Sequence, residues 1–60
     1  MLVKDLIHVT PIYVSIVYID RITKEIIDYK NMHRKERDVF RNRTVYIIEP
    51  YQNKINCYLY

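Results

Sequence analysis

Residues 43–60 read RTVYIIEPYQNKINCYLY, two apolar stretches divided by a polar break. In KINCYLY, residues 54–60, the side chains alternate. Ile55, Cys57 and Leu59 fall on one face, with Asn56, Tyr58 and Tyr60 on the other. A period of two is that of a half-buried strand. In RTVYIIEP, residues 43–50, Val45 and Ile47 face one way and Thr44, Tyr46 and Ile48 the other. These are β-branched and aromatic residues of the kind that suit a pleated surface. Pro50 has no N–H to give a ladder, so the strand is expected to stop there, with Tyr51-Gln52-Asn53 as the turn. The chain therefore closes on a β-hairpin.

The same composition recurs upstream. IYVSIVYID, residues 12–20, has apolar side chains on both faces: Ile12, Val14, Ile16 and Tyr18 on one, Tyr13, Val17 and Ile19 beside Ser15 on the other. A strand apolar on both faces belongs at the centre of a sheet. In the DRITKE turn that follows, Asp20 is placed to hydrogen-bond the backbone ahead of it and start a reversal. EIIDYK, residues 25–30, then returns as the second strand of a hairpin. Before these strands, LVKDLIHV carries apolar residues at 2, 3, 6, 7 and 9, a spacing that suits a short helix better than alternation. Thr10-Pro11 ends it, because the residue before proline is pushed out of helical angles.

Between the hairpins lies MHRKERDVFRNR, residues 32–43. Asn31 is an acceptable N-cap for a short helix across 32–41, with Met32, Val39 and Phe40 on one face. The whole reads as a single α+β domain over residues 1–60. It is a small antiparallel sheet of about four strands in two β-hairpins, with a short N-terminal helix and a short basic helical connector. Helices this short cover one face of the sheet and leave the other, which carries many tyrosines, towards solvent.

The formal charge is +3, and all of the excess sits in the connector. Arg34, Lys35, Arg37, Arg41 and Arg43 outnumber Glu36 and Asp38 there, while charges elsewhere in the sequence balance. Several cations together raise a local potential that attracts nucleic acid or an acidic protein surface. The bland reading is a connector kept soluble by its charge, with Arg34 and Asp38 paired at i,i+4.

Composition excludes a good deal. There is no glycine, so no loop of the kind that brings backbone N–H groups close to a nucleotide phosphate. One cysteine, Cys57, permits no intrachain disulfide and fits a reducing compartment. His8, His33 and Cys57 are scattered singly and lack the spacing of a zinc site. Ser15 and Cys57 have no base and orienting group arranged in sequence, so an enzyme is not expected. No cofactor, metal or membrane association is expected either: the apolar run Ile12–Ile19 is far short of the roughly 20 residues that span a bilayer. The reading is a cytoplasmic protein, in the host cytoplasm if the chain is viral.

VKDLI near the start, D-x-x-T-x-E at the first turn and N-R-x-V-x-x-I in the second half are short motifs spread over most of the chain. The residues are Val3–Ile7, Asp20, Thr23, Glu25, Asn42, Arg43, Val45 and Ile48. In these the chain resembles short accessory proteins encoded by phages and mobile elements of Firmicutes bacteria. Those proteins commonly carry glycine after the turn threonine, where this chain has Lys24. The resemblance implies no chemistry. It implies a context in which small proteins bind, and in some cases inhibit, a host protein such as a defence factor.

Seven tyrosines in sixty residues are the second signal. Tyrosine joins a large apolar face to a hydroxyl that tolerates water, so it is enriched at interfaces. The plainer explanation is its preference for strands. The expected role is a non-enzymatic interaction protein that binds a host protein through Arg34, Lys35, Arg37, Arg41, Arg43, Tyr46, Tyr58 and Tyr60. The alternative is nucleic acid, with the connector on phosphates and exposed tyrosines stacked on bases. A homodimer is expected in either case. A domain of this size buries only about 60% of its unfolded surface, and exposed strand edges invite pairing.

Overall fold

The computed structural model describes residues 1–60. The elements run α1 (Val3–Val9), β1 (Ser15–Asp20), β2 (Ile26–Ile27), a 3-10 turn (Tyr29–Asn31), α2 (Arg34–Phe40), β3 (Val45–Tyr51) and β4 (Lys54–Leu59). The fold is the expected small α+β domain, with two hairpins forming one mostly antiparallel sheet in the order β2-β1-β4-β3. The hairpins meet in parallel: Ser15 lies opposite Lys54 and Asp20 opposite Leu59. No helix is long and apolar enough to cross a membrane.

Register sorts the two faces. On the covered face, Ile27, Tyr18, Cys57 and Ile48 form one row across all four strands. Val3 and Leu6 of α1 and Phe40 of α2 pack on this face, closing a core with Tyr18, Cys57 and Leu59. Tyr18, Tyr29 and Phe40 form an aromatic cluster with ring centroids 5.0–5.4 Å apart. Edge-to-face and tilted contacts at such spacings are the favoured ones for aromatic rings. No helix covers the other face.

Several sequence expectations shift by a few residues, each for a local reason. The strand expected at 12–20 begins at Ser15, because the Val14 N–H donates to the Pro11 carbonyl (3.0 Å) and closes a turn that leaves Ile12 and Tyr13 exposed. The strand expected at 25–30 is only Ile26–Ile27, since the 3-10 turn swings Tyr29 back onto the core. Helix α2 starts at Arg34 with His33 as N-cap, and the Glu36 carboxylate accepts the His33 N–H at 3.4 Å. Asn31, the expected cap, ends the 3-10 turn instead. Val39 does not join the core but is 73% exposed. Pro50 does not stop β3, which pairs through Pro50–Ile55 to Tyr51–Lys54. Proline is tolerated because β3 is an edge strand.

The reversals are made without glycine. Asp20 Oδ1 accepts the N–H groups of Ile22 (2.8 Å) and Thr23 (2.9 Å), as its position predicted. These two bonds, and then the Arg43 charge, hold the Asp20 pKa below the usual carboxylate value. Lys24 and Gln52 take positive φ, 64° and 56°. Each left-handed residue other than glycine costs roughly 1–2 kcal/mol. Helix α1 ends as expected: Thr10 Oγ1 donates to the Leu6 carbonyl at 2.6 Å.

Two stability outcomes follow from this architecture. Leu59→Ala, at a fully buried position, should cost about 2–5 kcal/mol by urea denaturation, a large share of what a chain this small has. Gln52→Gly should raise stability by about 0.5–1 kcal/mol in the same assay, because the left-handed strain removed outweighs the extra freedom glycine gives the unfolded chain.

Candidate interaction surfaces

The residues expected to bind a partner divide between opposite faces of the sheet. Tyr46, Tyr58 and Tyr60 lie on the open face. The connector cations lie with α2 on the helix side.

On the open face, Ile26, Ile19, Tyr58 and Ile47 form a row across all four strands. Ile26 is 72% and Ile47 47% exposed. Tyr46 is the extra residue of an irregularity in the β3–β4 register between Val45 and Ile47. The bulge re-aims its side chain against Tyr60, edge to face at 5.0 Å. The Arg21 guanidinium stacks on both rings, 5.1 Å from Tyr46 and 4.8 Å from Tyr60. Lys24 lies 5.6 Å from the Tyr58 ring. Glu49 raises the Tyr58 pKa, first as a hydrogen-bond partner, with desolvation adding to it. Arg21, Lys24 and Ile47 complete this surface. Sequence reasoning missed Arg21 and Lys24 because only the parallel register brings the first turn beside the chain's last residues. It placed Ile47 on one face with Val45 because the irregularity at Tyr46, which turns Ile47 onto the open face, breaks the period of two.

On the helix side, α2 does not present its charges as one patch. A helix turns by about 100° per residue, so Arg34, Arg37 and Arg41 share one stripe with Asp38 between them. They line a single depression with Met32. Lys35 is turned away and lines a separate depression with Val39. Arg43 faces inward: it pairs with Asp20 at 3.8 Å, donates to the Tyr60 carbonyl and lies 5.9 Å from the Phe40 ring. The Arg34–Asp38 pair expected from spacing is not made, the only ion pair being Arg43–Asp20. A cation on the N-terminal side of its acid is the weaker order on a helix.

Two of the stripe's arginines are held by the fold. Arg37 Nη2 donates to the Lys30 carbonyl at 2.7 Å and its guanidinium lies 5.4 Å from the Tyr29 ring. Arg41 Nε donates to the Tyr29 hydroxyl at 2.9 Å, an interaction that raises the Arg41 pKa. The Arg34 side chain is exposed and makes no hydrogen bond within the chain. The Arg41 contact reaches a second depression lined by Lys4, Ile7 and His8. Lys4 comes there because its N–H donates to the Arg41 carbonyl at 2.9 Å.

The candidate nucleophile is sealed in the core. Cys57 has no exposed surface, and burial pushes its thiol pKa up to about 11. Reactive cysteines show the opposite, a depressed pKa and access to solvent. No three histidine, cysteine, aspartate or glutamate side chains cluster where a metal ion could be held.

No protein family, curated protein or solved structure matches the chain.

Tyr18, opposite Cys57 in the ladder, is also raised, to about 12, chiefly by burial. Both groups are acids whose neutral form the fold favours. Their contribution to stability is full below the unfolded values of 9.0 and 10.0 and is lost as pH rises through about 11 and 12. Urea midpoints should therefore fall progressively above about pH 9. At neutral pH, Cys57 should react with a thiol-specific disulfide reagent only through opening of the fold, and so much more slowly than in the chain unfolded in urea.

Proposed function

We propose that the protein is a small non-enzymatic interaction protein that docks a second protein on the open face of its sheet. The observation that carries this reading is the Tyr46–Tyr60–Arg21 cluster beside the Ile26–Ile19–Tyr58–Ile47 row, none of it used by the core. Tyrosine and arginine are the residue types that dominate binding energy at protein interfaces, and apolar neighbours exclude water around them. Arg21 already occupies the faces of two rings, so these tyrosines are poor platforms for stacked bases and good anchors for a protein surface.

Size favours the pairing of two copies in the absence of another partner, and the uncovered apolar row makes the open face the place for it. A monomer of 7.5 kDa is expected to expose about 4,250 Å², and this chain exposes 4775 Å². The excess of about 500 Å² is a large part of the roughly 800 Å² that each partner contributes to a standard interface. The likeness to accessory proteins of phages and mobile elements makes a host-cell protein the partner to seek, with inhibition of that protein as the mode of action. Such a partner displaces the second copy from the same surface.

Light scattering at micromolar concentration should give twice the 7.5-kDa chain mass. Ile26→Glu and Ile47→Glu, at exposed positions on the outer strands, should keep the circular dichroism spectrum and return the mass to that of one chain. In affinity capture from bacterial lysate, the partner should survive nuclease and high salt and be lost with Ile26→Glu. A monomeric wild type removes self-pairing. Capture that ignores Ile26→Glu removes the open face as the docking surface.

A further inference from the structure

The open sheet face accounts for none of the cations on the helix side, and their arrangement carries a separate inference. Arg34, Arg37 and Arg41 line one depression, and Arg41 also lines the next one with Lys4 and His8. The cations thus run as a strip over both helices. In sequence Lys4 is balanced by Asp5, but in the fold the nearby acids are turned to local donors. Asp5 accepts the Leu2 N–H at 3.1 Å, Glu36 the His33 N–H at 3.4 Å, and Asp28 a hydrogen bond from the Asn31 side chain. Asp38 is the one acid left within the strip.

We propose that this strip binds the phosphodiester backbone of a nucleic acid without reading its bases. Several observations favour a chain of phosphates over a single one. The cations are spread over two adjoining depressions rather than converging on one point. From Arg34 to Arg41 the helix rises about 10 Å, enough to meet more than one phosphate of a strand. A clamp for one phosphate draws on free backbone N–H groups, and those at the start of α1 are spent, Val3 on the Arg43 carbonyl (3.0 Å) and Lys4 on that of Arg41. The neighbouring ring, Tyr29, lies under Arg37 and is bonded to Arg41, so no aromatic face is free to stack on a base. The held guanidinium groups of Arg37 and Arg41 lose little side-chain freedom on binding, which favours contact without rearrangement.

Fluorescence anisotropy with a labelled mixed-sequence oligonucleotide of about 20 nucleotides, as single strand and as duplex, tests this between about 50 and 200 mM salt. On a single strand, four cations at about 0.7 each should give a log–log salt slope near −3. Lys4→Gln and Arg34→Gln alter exposed side chains with no structural hydrogen bonds. Each should weaken binding severalfold for every sequence tried and flatten the slope by about 0.7. Asp38→Asn should tighten binding. Lys54→Gln, on the far hairpin, and Ile26→Glu, on the open face, should leave it unchanged, which separates this proposal from protein docking. Wild-type affinity and slope in the Lys4→Gln/Arg34→Gln double variant, with the fold intact by circular dichroism, would overturn it. So would competition by poly-glutamate as effective as that by unlabelled oligonucleotide, which would reassign the strip to an acidic protein.

Discussion

In the parallel ladder between β1 and β4, Ser15–Asp20 lie against Lys54–Leu59. The two hairpins share no other strand pairing. Closing a loop this long costs entropy that increases only slowly with its length, and the core formed beneath the ladder offsets it. Tyr18 beside Cys57, and Leu59 beside Asp20, give α1 and α2 an apolar floor on which to seat Val3, Leu6 and Phe40. At the end of the ladder, the Arg21 N–H donates to the Leu59 carbonyl at 3.1 Å. That bond brings the first turn beside the last residues, so the aromatic cluster of the open face derives from the same ladder as the core.

The two helices are also joined end to end. The first N–H groups of a helix and its last carbonyls have no partners inside it. Here the start of α1 gives two N–H groups to the carbonyls that follow α2, those of Arg41 and Arg43. The arrangement satisfies the start of α1, while the last carbonyls of α2 accept from the N–H groups of Arg41, Asn42 and Arg43. It also extends the arginine stripe of α2 to Lys4 on α1. The sheet thereby separates two surfaces, an aromatic and aliphatic one below, with Arg21 and Lys24 against its rings, and the Arg34–Arg37–Arg41–Lys4 strip above.

Local pattern carried the elements well. Alternation in KINCYLY placed Cys57 and Leu59 inside, the 2, 3, 6, 7 spacing gave α1, and Asp20 began its turn as its side-chain chemistry demands. Local pattern could not carry what depends on distant partners. Tyr29 reads as a strand residue until Tyr18 and Phe40 offer it a cluster. Met32, Val39 and Phe40 read as one core face, but the fold keeps Met32 and Phe40 on the core while α2 turns Val39 to solvent. Arg43 reads as a free cation, although Asp20 and the Tyr60 carbonyl claim it across the ladder. The basic run was legible as charge, but its division into Arg34/Arg37/Arg41, an averted Lys35 and an inward Arg43 follows from helical rotation and from where the helix stops. Lys4 and Arg21 carried no signal, because each gains its role only from its spatial neighbours.

The borders of the sheet set how assemblies of this protein can grow. Strand β2 offers only two residues at one border. At the other, β3 carries the Tyr46 irregularity, a charged Glu49 and a proline with no N–H, while Met1 and Leu2 pair with Val45 and Thr44 at its start. Neither border offers an added strand a long unbroken ladder, the free stretch of β1 beside β2 being only Ser15–Val17. Association in the hydrogen-bonding direction, which would run on without limit as a filament, is therefore disfavoured. Contact through the flat of the sheet uses one self-complementary surface per molecule and is exhausted after a single partner. A protein with a thin core and much exposed isoleucine and tyrosine is thereby directed to finite complexes.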